Sequence, residues 1–269
     1  MVFGLQLSIA RAGSSANFVS MVSIYDFVHE HFQGNKCLGL ALLIAAVSCL
    51  FSLICALILA YFDKRASRIL KKDTIVVDEK VNITDAKTFP LSFWFISLIC
   101  VSFYVTIFPF TALGSQKEAN FYDSIIYLIS TFASPILGIM VDMSGRNLFW
   151  VLSATFITLI AHGMLAFTFI HPLVAMIIMG TGYSVLACSL WPMVALVIPR
   201  HQLGTAYGIM QSVQNLGLGC VVLAAGYIVD SIGYISLELF FLSWLTSKYY
   251  CCINNFYSIS IKFTFFSLG

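Results

Sequence analysis

Arg11 is the side chain whose type and place most demand a chemical explanation. It lies near the middle of an apolar run from Val2 to Phe27, and a charge at membrane depth costs a few kcal/mol or more. A guanidinium there should face a cavity or a partner, and an anion is its natural ligand. A carboxylate accepts two parallel N–H bonds from the planar fork. If the run starts later, Arg11 instead snorkels to the cytoplasmic edge, and both readings stand. Gln211, Gln214 and Asn215 form a second group, spaced i, i+3 and i+4 on one helical face. Their amides suit a peptide backbone or an ammonium, with Asn215 the best placed; equally, they can glue helices together at roughly 1 kcal/mol per bond. Trp191-Pro192 interrupts the apolar run Leu173–Ile198. Proline removes a helix hydrogen bond and kinks the segment, while Trp191 either covers a cavity or anchors at the interface. Tyr104 and Pro109 repeat that pattern more weakly. His162 could relay protons but more simply bonds across helices. Glu238 stands one turn from Tyr234 and suits a membrane interface, so no convincing carboxylate–histidine relay is visible.

The elements that must hold these residues follow from composition. The chain has 269 residues, 60% hydrophobic and 10% charged, against about half and about a quarter in a soluble domain. Too few polar side chains exist to coat a water-exposed globule, so lipid is the solvent for most of the chain. A soluble enzyme, a disordered chain and a secreted disulfide scaffold are excluded. A net charge of +2 without a basic aromatic patch excludes nucleic acid as a partner. Hydropathy marks about eight spans, each near the roughly 20 residues that cross a bilayer. They run Val2–Phe27, Leu38–Phe62, Pro90–Leu113, Tyr122–Val141, Leu148–Ile170, Leu173–Ile198, Gly204–Val229 and onward from Tyr234. The fold class is thus all-α, a polytopic membrane helix bundle with the bilayer as its partner.

Basic residues set the orientation. Lys64, Arg65, Arg68, Lys71 and Lys72 crowd the loop after the second span and place it in the cytoplasm. Alternation then puts the turns at Arg146 and Arg200 on the same side, with both termini. The opposite loops at His171-Pro172 and Asp230–Gly233 hold no Lys or Arg, although Lys36 and Lys117 lie on that side. No signal peptide is visible. The Asn82-Ile83-Thr84 sequon falls in the cytoplasmic loop and is read as chance. Of the eight cysteines, Cys49, Cys55, Cys100, Cys188 and Cys220 sit in apolar runs as small hydrophobes; Cys251 and Cys252 are weak palmitoylation candidates. No phosphate loop, nucleophile triad or metal spacing occurs, so no catalysis, metal or cofactor is expected.

The most specific local pattern is Gly138-Ile139-Met140-Val141-Asp142-Met143-Ser144-Gly145-Arg146. Gly138 lets a helix approach, Asp142 can cap amides and pair with a base, Gly145 makes the reversal and Arg146 anchors at headgroups. The pattern resembles the GxLxDxxGR loop of the major facilitator superfamily; the alternative is an ordinary short turn. In that superfamily a long charged loop joins two six-helix halves. Here the charged loop follows two spans and precedes six. The resemblance therefore implies a partial fold of about 8 of 12 helices, with four missing before Met1. Residues 1–62 would be the last two helices of the amino-terminal half and 63–89 the basic linker. Residues 90–243 would be the carboxy-terminal half and 244–269 a divergent tail that continues or ends the last helix.

The runs Phe3–Arg11, Ala187–Ala195, His201–Gly208 and Met210–Gly217 resemble the lysosomal dipeptide-uniporter family of that superfamily. This implies a multi-pass lysosomal membrane protein that exports dipeptides or similar small solutes from lumen to cytosol by alternating access. A glycosylated lysosomal membrane protein would be its accessory partner. On this reading Arg11 takes the substrate carboxylate, Tyr104, Trp191, Gln211, Gln214 and Asn215 contact the peptide, and Pro192 serves the conformational change. The absence of a proton relay fits uniport. The glycines at 180, 182, 204, 208, 217 and 219 fit close helix contacts and flexible points. The departures are the first four helices, the sorting tail, a shorter Gly114–Asp123 connection and the sequence after Ser243. The rival reading is a truncated, transport-incompetent piece or splice product, at most an interaction partner.

Overall fold

A bilayer offers no water to backbone amides, so spanning segments close their hydrogen bonds internally as helices. The computed structural model describes residues 2–32, 34–69, 83–107 and 116–267. Lys71, Lys72, Asn82 and Pro109 lie outside the described residues, as do the side chains of Lys117, Cys251 and Cys252. The described residues form eight α-helices and no strand. These are α1 (Val2–His31), α2 (Asn35–Ile69), α3 (Leu91–Ile107), α4 (Gln116–Ser144), α5 (Asn147–Phe167), α6 (Pro172–Val197), α7 (Leu203–Ile232) and α8 (Tyr234–Ser267). Short 3-10 segments cover Ile83–Thr88 and Arg200–Gln202. Five helical segments are long and apolar enough to cross a membrane: Lys36–Ile69, Asn120–Ser144, Asn147–Phe167, Pro172–Val197 and Arg200–Ile232. The shorter Leu91–Ile107 is apolar as well. α1 is not among the five, because Gln6, Arg11, Ser14, Ser15 and Asn17 dilute its apolar run.

The chain divides into two compact units, residues 17–80 and residues 1–16 with 81–269. In the smaller unit the reversal falls at Gly34, whose φ of 70° a side chain would resist. Beyond it the Cys37 thiol donates to the Tyr25 carbonyl at 3.8 Å, and Val28, Cys37 and Ala41 are each buried.

In the larger unit α6 is the core. Of its apolar stretch 72% is buried, against 6% for α7, so its neighbours pack around a helix that is apolar on every side. Small residues allow that approach. A methyl on Gly180 would meet the Ile126 backbone at 3.0 Å, and one on Gly182 the Thr158 hydroxyl at 2.7 Å. Gly217 is similarly closed by Val101. Gly204, Gly208 and Gly219 face open space instead, so close approach is confined to Gly180, Gly182 and Gly217 of the six.

Two prolines lie inside helices, Pro135 in α4 and Pro192 in α6. Pro135 has no amide to give the Thr131 carbonyl, and that carbonyl accepts the Ser8 hydroxyl of α1 at 2.5 Å. Nearby, a methyl on Gly4 would stand 2.8 Å from the Ser134 carbonyl, and one on Gly138 would stand 3.2 Å from Gly4 Cα. Further along, the Ser15 hydroxyl donates to the Ser124 carbonyl at 3.1 Å. Rising positions 4, 8 and 15 thus meet falling positions 138, 131 and 124, and the start of α1 lies antiparallel to α4. The Cys188 thiol of α6 reaches the Ser134 carbonyl at 3.4 Å, which closes the packing from the other side.

Candidate functional site

The antiparallel seam delivers Arg11 to the centre of the larger unit. Its side chain is 7% exposed, buried rather than stretched to an interface. The guanidinium carbon stands 3.9 Å from the centre of the Tyr183 ring, where the ring's negative face attracts a cation. One terminal nitrogen, Nη1, has no hydrogen-bond partner among the described residues. Tyr183 comes from α6 and meets Tyr104 of α3 edge-on, at 5.7 Å and 82°. It meets Tyr127 of α4 in the same way, at 6.0 Å and 90°. Trp191 Nε1 donates to the Tyr104 hydroxyl at 3.1 Å. The Tyr207 hydroxyl of α7 donates to the Trp191 carbonyl at 3.2 Å, and the two rings lie 6.0 Å apart. A buried cation is therefore stacked on Tyr183, from which a chain of aromatic contacts runs through α3, α4, α6 and α7.

Of the residues singled out from sequence, Arg11, Tyr104 and Trp191 come together here. The amide group on α7 splits. Gln214 is buried and accepts the Cys100 thiol of α3 at 3.3 Å, whereas Gln211 and Asn215 are exposed and bond each other at 3.4 Å. The three positions span an arc of about 100° on α7, and only its Gln214 edge turns into the α3 seam while the Gln211–Asn215 edge stays exposed. Pro192 lies inside α6 beside this cluster in sequence. Gly138 sits in the α1–α4 seam, and Gly145 makes the α4–α5 reversal with a φ of 61°. Asp142 and Arg146 are exposed at that turn, which Trp150 closes by donating to the Ser144 hydroxyl at 2.5 Å.

Sequence reasoning missed Tyr127, Tyr183, Tyr207, Asp123 and Lys248. A tyrosine in a uniformly apolar helix gives no periodic signal of which way it faces. Asp123 and Lys248 were readable as charges close to spans; both are 7% exposed, and Lys248 Nζ stands 4.7 Å over the Phe103 ring.

The reading of Glu238 as an interface residue is corrected. His162 Nδ1 of α5 lies 2.8 Å from Glu238 Oε2 of α8, and both side chains are 0% exposed. The Tyr234 hydroxyl donates to Glu238 Oε1 at 2.6 Å. A buried carboxylate–histidine pair therefore exists after all, and His162 does bond across helices. The partners are 76 residues apart in the chain, so spacing could not show them. Among the described residues no group of three or more His, Cys, Asp or Glu is placed to hold a metal.

Comparisons with known proteins agree with this architecture. The Major Facilitator Superfamily profile matches residues 89–246. The lysosomal dipeptide transporter MFSD1 of Gallus gallus is 52% identical over 253 residues, covering 90% of this chain and 57% of the relative. Its namesake in Danio rerio is 50% identical over 257 residues, covering 91% of this chain and 56% of the relative. The Homo sapiens protein of that name is 48% identical over 255 residues, covering 90% and 55%. The chain thus spans about half the length of the curated relatives it matches. The matched profile takes in more than half of the residues, from α3 into α8 and including the turn between α4 and α5: the chain belongs to the major facilitator superfamily of membrane transporters.

Proposed function

We propose that this chain forms part of a lysosomal carrier for dipeptides and that the aromatic cluster around Arg11 is its peptide-binding face. The observation that carries the reading is Arg11 itself, a buried guanidinium held over Tyr183 with Nη1 unpartnered among the described residues. Removing a charge from water is unfavourable unless something pays for it, and a peptide carboxylate supplies both the countercharge and two acceptor oxygens. Tyr104 and Trp191 supply ring edges and faces for side chains of varied shape, which suits a carrier of mixed peptides. Asn215 and Gln211, exposed on α7, are the amides available to the peptide backbone. Gln214 acts in the α3–α7 seam. The similar MFSD1 proteins are named for lysosomal dipeptide transport, and they agree with this chemistry.

In the proposed cycle, residues 90–243 form one six-helix half and residues 1–62 supply two helices of the other, joined by 63–89. The halves rock about a central site and open in turn to lumen and cytosol. Asp142, Gly145, Arg146 and Pro192 serve the motion. A glycosylated membrane partner would accompany the carrier. The test is counterflow in liposomes, with labelled Ala-Ala outside and unlabelled dipeptide inside, at equal pH on both sides. Saturable labelled uptake that Arg11→Ala abolishes supports the reading. Uptake that survives Arg11→Ala, or that is no faster than in empty liposomes, counts against it.

A further inference from the structure

Trp191 is gripped at two points, from two different helices. Its indole Nε1, which can only donate, bonds the Tyr104 hydroxyl of α3 at 3.1 Å. Its backbone carbonyl accepts the Tyr207 hydroxyl of α7 at 3.2 Å, and the Tyr207 ring lies beside the indole, 6.0 Å away and tilted by 35°. Inside a helix a carbonyl already serves the amide four residues on, so α6 does not need that second bond to stay helical. The bond falls instead where α6 is weakest. Pro192 follows Trp191 and has no amide for the Cys188 carbonyl, so this turn is one ladder bond short and bends more easily than the rest. An outside donor on the carbonyl next to the proline limits that bend. The grip is also local to one end of the helix pair. α6 ends at Val197 and α7 starts at Leu203, so Trp191 and Tyr207 stand six and four residues from those ends. The bond thus pins α7 to α6 just inside their connecting turn.

We infer that Tyr207 is a positioning residue: through the Trp191 carbonyl it fixes the tilt of the indole, and the indole so fixed favours aromatic side chains on the peptide. The inference rests on the carrier reading above, in which Trp191 faces the peptide side chain. Aromatic pairs gain from offset or edge-on geometry at centroid separations of about 4.5–7 Å, and a platform that tilts freely loses that gain. A methyl side chain has no such geometry to lose. Tyr207 acts through Trp191 and does not itself hold the peptide, whose carboxylate stays with Arg11.

The test uses the full chain in lipid nanodiscs, with 5-fluorotryptophan at its four tryptophan positions, titrated with Ala-Ala and with Ala-Phe. A well-placed ring pair corresponds to about twofold to tenfold in affinity. Tyr207→Phe keeps a ring beside the indole and removes only the hydroxyl. It should lower the preference for Ala-Phe over Ala-Ala by that factor. It should also shift or broaden the fluorine resonance of Trp191, which Trp191→Phe identifies by its loss. The resonances of Trp94, Trp150 and Trp244 should stay in place, which shows that the variant is folded. The inference is overturned if Tyr207→Phe weakens both peptides equally, if the Trp191 resonance does not move, or if all four resonances move together. Should the wild type bind neither peptide, the carrier reading fails and this inference with it. Binding of both peptides with a preference indifferent to Tyr207→Phe removes the inference alone.

Discussion

A guanidinium is less strongly hydrated than an ammonium and presents a flat face, which suits Arg11 to stacking on the Tyr183 ring. Its stacked geometry also holds the fork in place before a ligand arrives, which lowers the ordering cost of binding. A desolvated cation–π contact contributes up to about 2 kcal/mol. Tyr183→Leu should therefore weaken dipeptide binding by about 1–2 kcal/mol in a nanodisc titration, while Tyr183→Phe, which keeps the ring, stays close to wild type. Arg11→Lys should lose more than Tyr183→Phe despite keeping its charge, because the bidentate fork is gone. Arg11 was legible in the sequence, since a charge inside an apolar run announces itself. Tyr183 was not, because α6 is apolar on all sides and its spacing names no face.

At the level of elements, Gly4, Ser8, Arg11 and Ser15 form one stripe of α1, at steps of four, three and four residues. Three of them fix α1 on α4, and the fourth is the cation we propose binds the peptide carboxylate. The hydroxyl of Ser8 meets the one α4 carbonyl that Pro135 releases, so the proline creates the docking point. A larger side chain at position 4 would strike the Ser134 carbonyl. Gly4→Leu should consequently lift α1, withdraw Arg11 from Tyr183 and abolish dipeptide binding while the α5–α8 contact persists. That contact rests on His162 and Glu238, and removing one partner of a buried pair costs about 3–5 kcal/mol. Glu238→Ala should lower the thermal unfolding midpoint in nanodiscs clearly, and Glu238→Gln, which still accepts a hydrogen bond, should lower it less. The α4–α5 turn was legible because its chemistry is local: glycine at a positive φ, bounded by a charged motif. The α5–α8 pair was hidden because it depends on which helices become neighbours.

For the whole molecule, composition named lipid as the solvent and hydropathy counted the helices, because both depend on sums over many residues. What it could not supply was the meeting of α1, α3 and α4 at one tyrosine of α6, which depends on shapes rather than on averages. Charge asymmetry predicts the orientation: the Gly145 turn should face the cytoplasm and the Gly233 turn the opposite side. With the native cysteines replaced, Met143→Cys, at a position 83% exposed, should react with a membrane-impermeant maleimide from one side, and Ser231→Cys from the other. Labelling of both from the same side would contradict the topology. The central claim is that the buried Arg11 cluster takes a peptide carboxylate, and a titration comparing Ala-Ala with its carboxy-terminal amide addresses it most directly. The account predicts that wild type binds Ala-Ala about tenfold or more tightly than the amide, and that Arg11→Gln erases the difference by weakening only Ala-Ala. Equal affinity of wild type for the acid and the amide would contradict it.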